Sequence, residues 1–144
     1  MNIVYDIRDA LSAIVEGQTG FSKSRFIWDT QKNNKSANFE YYSVRPQAAN
    51  FVAGTCNTIT LSQLFDIELG TSFRGGSDGD EDTDDNIKKL YEEHQKLFLS
   101  IMRSNFNIGR VQVVGDLDLS APEVDNDNKV CRIIATYTIT HRTE

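Results

Sequence analysis

Between Thr55 and Leu69 the chain alternates. Ile59, Leu61, Phe65, Ile67 and Leu69 fall on one side and Thr58, Thr60, Ser62, Asp66 and Glu68 on the other, with only Gln63 and Leu64 out of phase. A period of two describes a β-strand with one apolar and one polar face. At ~3.3 Å per residue such a strand spans roughly 50 Å, against a diameter of roughly 35 to 40 Å for a compact domain of this size. The strand must therefore bend near Gln63-Leu64, or project as a hairpin arm or sheet edge offered to a neighbour.

The flanking segments supply the layers that such a strand needs. Ile3, Val4, Ile7, Ala10, Leu11, Ile14 and Val15 recur at helical spacing from Asn2, a good N-cap, to Gly17, a plausible stop. Ser22 to Gln31 reads as a strand, followed by a polar connection and a second strand ending at Pro46, which cannot donate to a ladder. Gly70 to Asp82 reads as a Gly/Ser/Asp loop. The next helix carries Ile87, Leu90, Tyr91, His94, Leu97, Phe98 and Ile101 on one face and Lys88, Lys89, Glu92, Glu93, Lys96 and Arg103 on the other. Arg110 to Leu119 and Val130 to His141 close the chain as strands, the latter with Cys131, Ile133, Ala135, Tyr137, Ile139 and His141 on one face. The order α-β-β-β-α-β-β predicts an α+β fold: a mainly antiparallel sheet with two helices packed on one face. With 144 residues, a single domain spanning 1–144 is expected.

Charge and cysteine usage narrow the function. The net charge of −6 is concentrated between Gly70 and Asn86, where Asp78, Asp80, Glu81, Asp82, Asp84 and Asp85 stand against Arg74 alone. Phosphate-rich partners need clustered Lys and Arg, so specific nucleic-acid binding is not expected. Cys56 and Cys131 are too far apart in sequence for a Cys-x-x-Cys pair, and both lie in apolar strand patterns, as buried free thiols of a reducing compartment do. The first residues lack the basic start and apolar run of a signal peptide, and no stretch has the length of a membrane span. Synthesis in the cytosol, without membrane association, is the expectation.

Catalytic constellations fail one by one. An EF-hand loop starting at Asp78 needs Gly where Thr83 stands and a bidentate Glu where Lys89 stands. The acids are better read as partners of a helix dipole, with Asp82 or Thr83 as cap, although a weaker cation-binding module is an alternative of a different class. His94 sits on the apolar face of its helix and His141 near the end of a strand, where a lone histidine is usually a hydrogen-bonded core or rim residue. No nucleophile elbow is present, and Gly75 to Gly79 lacks the Lys-Ser/Thr of a phosphate loop. No enzyme activity, metal or cofactor is expected. Trp28, Tyr41, Tyr42 and Arg45 are the candidate subunit interface, since Tyr, Trp and Arg are enriched at such surfaces. Tyr41 and Tyr42, being adjacent on a strand, must point to opposite faces, which predicts that at least one lies off the core. Arg45 is expected to pair with a carboxylate or aromatic ring of another subunit.

Taken together, Tyr5-Asp6-Ile7-Arg8-Asp9-Ala10-Leu11, Phe26-Ile27-Trp28-Asp29, Tyr42-Ser43-Val44-Arg45-Pro46, the long Thr-rich strand and Leu90-Tyr91-Glu92 resemble the tail terminator (tail-tube completion) proteins of tailed bacteriophages in segment order over nearly the whole chain. A related neck or head-tail connector protein shares such patterns. The resemblance implies a structural virion subunit, made in the host cytoplasm, that forms a hexameric ring at the head-proximal end of the tail. Such a ring stops polymerisation of the tail tube protein and presents a joining surface to a neck or connector protein. It implies that DNA passes through without specific binding, with the acidic loop facing solvent or the lumen.

Overall fold

The computed structural model describes residues 2–24, 28, 40–54, 58–73, 79–104, 110–127 and 129–143, without side chains at 79–81, 110–116 and 143. Two helices and a mostly antiparallel six-stranded sheet make an α+β fold: α1 (Ile3–Thr19), β1 (Ser22–Lys23), β2 (Glu40–Ala53), β3 (Ile59–Ser72), α2 (Gly79–Arg103), β4 (Arg110–Leu119), β5 (Glu123–Asp125) and β6 (Val130–Thr143). The sheet order is β1-β2-β3-β6-β4, with β5 pairing β6. Among the described residues only the β1–β2 pair is parallel.

Helix α1 begins as its sequence predicts, with the Asn2 side chain accepting from the Tyr5 amide. It ends later than Gly17. Gly17 continues the helix, and the stop is Gly20, which takes a left-handed φ of 72° that only glycine adopts without strain and donates its N–H to the Glu16 carbonyl. Ile7, Leu11 and Val15 are buried along one stripe. On α2, Leu90, His94, Leu97 and Ile101 are buried, whereas Tyr91 is largely exposed and so leaves the predicted apolar face. The two stripes join Phe65, Ile67 and Leu69 of β3, Cys131, Ile133, Ala135, Tyr137 and Ile139 of β6, and Tyr42 and Val44 of β2 in one cluster. Fully burying a Leu, Ile or Phe side chain contributes about 1.5–3 kcal/mol each, so this cluster supplies the main driving force for folding.

The predicted strand at Ser22–Gln31 is described only at Ser22–Lys23 as strand and at Trp28 as a bend; most of Phe26-Ile27-Trp28-Asp29 and the connection after it lie outside the described residues. Strand β3 pairs with β6 without a shift from Ile59↔Thr143 to Ser72↔Val130. Gln63 is thus in phase with Leu61 and Phe65 and buried with them. The irregularity sits in the flanking strands instead. β2 has a bulge between Pro46 and Ala49, and β4 one between Val113 and Leu117, both opposite the Gln63–Phe65 stretch of the central pair. Pro46 therefore does not end its strand: a bulge accommodates a residue without an N–H, and β2 continues to Ala53. The bulge changes the phase of β2, so that Tyr42 and Val44 before it and Ala49 and Phe51 after it fall on the same side of the sheet.

The segment read as a loop from Gly70 divides differently. Gly70, Thr71 and Ser72 belong to β3, residues 74–78 lie outside the described residues, and α2 starts at Gly79. Gly70 is required by its neighbour across the strand pair: a Cβ there would stand 2.3 Å from the Tyr41 ring.

Candidate assembly surface

The four aromatic and arginine positions predicted to form an interface separate in the fold. Tyr42 enters the core beneath the helices and donates its hydroxyl to Glu16 of α1 at 2.8 Å; burial, reinforced by that carboxylate, raises its pKa well above the usual phenol value. Tyr41 points to the opposite face, as adjacency on a strand dictates, but it is also buried. There its hydroxyl donates to Glu68 Oε2 at 2.6 Å, and both terminal guanidinium nitrogens of Arg45 donate to Glu68 Oε1 at 3.1 Å. Glu68 is 2 % exposed. Arg45 thus has its carboxylate within its own subunit, because Glu68 on β3 lies diagonally between Tyr41 and Arg45 on β2. Tyr41, Tyr42 and Arg45 offer no surface to a neighbour, and of the four only Trp28, 65 % exposed, does.

The acidic run does not form a loop in its larger part. Asp80, Glu81, Asp82, Asp84 and Asp85 lie in the opening turns of α2, where carboxylates favour the positive helix end, and Asp78 lies outside the described residues. Asp84 and Asp85 are exposed. Among the described residues no group of three His, Cys, Asp or Glu side chains is placed to hold a metal ion. A cleft of about 480 Å³ opens at the β5–β6 turn beside Glu123, Asp125, Asp127 and Arg132, where Arg132 is already ion-paired to Glu123.

Both described histidines are buried. His94 is fully buried on α2 with Nε2 2.9 Å from the Ile133 carbonyl of β6, so Nε2 carries the proton and donates. Its Nδ1 has no partner; burial lowers its pKa below the ordinary histidine value, only partly offset by the carbonyl, and the ring is neutral. Tyr137 Oη and His141 Nδ1 are likewise buried without partners. Cys131 is a free buried thiol pushed up to about 11 by burial, and Cys56 lies outside the described residues.

What remains as a surface is the far half of β2. From Gln47 to Ala53 every residue is exposed, and β1 pairs with this strand only at Tyr41 and Tyr42. Phe51 and Val52 are 61 % and 52 % exposed, and Ile59 on the returning strand is exposed as well. Gln63 braces the base of this arm by donating to the bulged carbonyls of Gln47 at 2.8 Å and Ala48 at 3.4 Å, which turns the phase-breaking polar residue into the bulge's partner. The run from Gln47 to Ala53 carries no charge, and a long, uncharged and partly apolar edge is a surface that natural proteins otherwise protect. The hairpin arm or sheet edge was one of the two readings of the long strand, but ending its neighbour at Pro46 left out the residues that form the edge. The signal was the length of the alternating strand, which needs a partner of equal length on its Pro46 side.

No helix among the described residues is long and apolar enough to cross a membrane. No protein-family model matches the chain, and no curated protein matches it.

Proposed function

We propose that the protein is a structural subunit that self-associates into a ring, in the manner of the tail terminators its segment order resembles: six copies cap the tail tube of a phage, stop its polymerisation and present the surface that joins the head. The observation that carries the reading is the β2 arm, a seven-residue exposed stretch, Gln47 to Ala53, with Phe51 and Val52 uncovered. An open strand edge of this kind is a template for pairing with another chain.

The test is assembly without this protein. Phage produced with the gene silenced should give tubes of unregulated length that do not join heads, visible by negative-stain electron microscopy, and adding the purified protein should restore both. Tails of normal length joined to full heads in its absence overturn the proposal.

A further inference from the structure

Four strands of the sheet share level rungs in the half that carries the arm. Val52, Phe51, Asn50 and Ala49 of β2 pair with Thr60, Leu61, Ser62 and Gln63 of β3. These pair with Arg142, His141, Thr140 and Ile139 of β6, and those with Arg110, Val111, Gln112 and Val113 of β4. Among the described residues, both outer strands end the sheet at these rungs: nothing pairs with β2 beyond Tyr42, and β4 closes the strand order on the other side. Each successive pair is antiparallel, so β2 and β4 run in opposite directions. Copies placed side by side with their rungs level therefore bring β2 of one against β4 of the next as an antiparallel ladder, the geometry with direct perpendicular hydrogen bonds.

Resting on the ring reading above, the geometry points to a specific occupant for the arm: the β4 strand of a second copy, added to the open edge of β2 so that the sheet continues from subunit to subunit. Head-to-tail pairing of unlike edges closes into a ring when the rotation permits, and closure removes every open edge. The level rungs set Phe51 against Val111, Ala49 against Val113 and Asn50 against Gln112, matching apolar with apolar and amide with amide, as cross-strand stabilisation favours. No like charges face each other, because Gln47 to Ala53 holds none. The bulges of β2 and β4 stand at the same height, so both edges leave the flat ladder at the same point.

Cysteine cross-linking with an edge-charge variant decides this. In a Cys56→Ser background, the double variants Asn50→Cys/Gln112→Cys and Phe51→Cys/Val111→Cys sample adjacent rungs, one of which is the close non-hydrogen-bonded kind that a disulfide spans. Oxidation of assembled rings should give a ladder of covalent multimers up to the full ring for at least one pair, and none for the single variants. Val52→Lys, at an exposed position, should leave the circular dichroism and melting temperature unchanged while raising the concentration for half-assembly at least tenfold by light scattering. Rings that assemble without cross-links and tolerate Val52→Lys overturn edge pairing while sparing the ring. A cross-link from Asn50→Cys to a different polypeptide in whole particles also overturns it. A wild-type chain that is monomeric alone and absent from purified tails overturns the ring reading itself.

Discussion

Arg45 shows how one residue changes meaning once its neighbours are placed. Its sequence setting, before a proline and beside aromatics, suits a subunit contact, yet Glu68 meets it inside the same sheet. Removing one partner of a buried pair leaves the other charge uncompensated at a cost of about 3–5 kcal/mol. Arg45→Ala should therefore destabilise the isolated subunit by that order in urea denaturation, whereas Arg45→Met with Glu68→Leu should recover only part of the loss, because the buried Tyr41 hydroxyl then loses Glu68 as its acceptor. His94 makes a second prediction at this scale. Its pKa is lowered in the fold, so below the ordinary value near 6.5 the unfolded chain takes up a proton that the folded chain does not. Stability is then complete above that value and falls as the pH drops below it, by at most ~1.4 kcal/mol per pH unit for one group. Denaturation midpoints measured from pH 8 to 5 should show this decline, and His94→Leu should flatten it.

Elements are shaped here by a few residues at their irregular points. Strands β3 and β6 stay in register across their full length, while the register shifts of the sheet fall in β2 and β4. Gln63 holds the β2 bulge by donating to two carbonyls. Replacing it by Leu preserves burial but removes these hydrogen bonds, a net cost of about 0.5–1.5 kcal/mol. Amide exchange by mass spectrometry should then show faster exchange confined to the β2 arm, with protection of the Phe65–Leu69 stretch retained. Uniform loss of protection would show that the bulge has no separate role. The position of Gln63 among apolar residues was visible in the sequence; its partner was not, because the bulged carbonyls belong to the other strand.

For the whole molecule, a single apolar cluster draws on α1, α2 and strands β2, β3 and β6. None of these five elements can leave without exposing part of the core that the others share, so unfolding should be cooperative. Thermal transitions followed by far-ultraviolet circular dichroism and by near-ultraviolet tyrosine signals should coincide, since Tyr42 and Tyr137 are buried in that cluster. Separate transitions would divide the chain into independent units. The uncovered β2 arm adds little to this core, which frees it for assembly, where its exposed Phe51 and Val52 gain cover.

Periodicity alone established both helices, the strands β3, β4 and β6 within a few residues and the apolar faces of α1 and β6, because side-chain spacing of 3.6 or 2 reports directly on which face is buried. Asn2 was legible as a cap for the same local reason. Tertiary structure decided what depends on residues distant in sequence. Whether Pro46 ends or bulges a strand rests on the length of β3, and whether Gly70 turns or stays extended rests on its pairing with Tyr41 of β2 and Arg132 of β6. The roles of Tyr41, Tyr42 and Arg45 were set by Glu16 and Glu68, which approach from other elements. A side chain's type specifies what it can bond, and only the fold brings the bonding partner within reach.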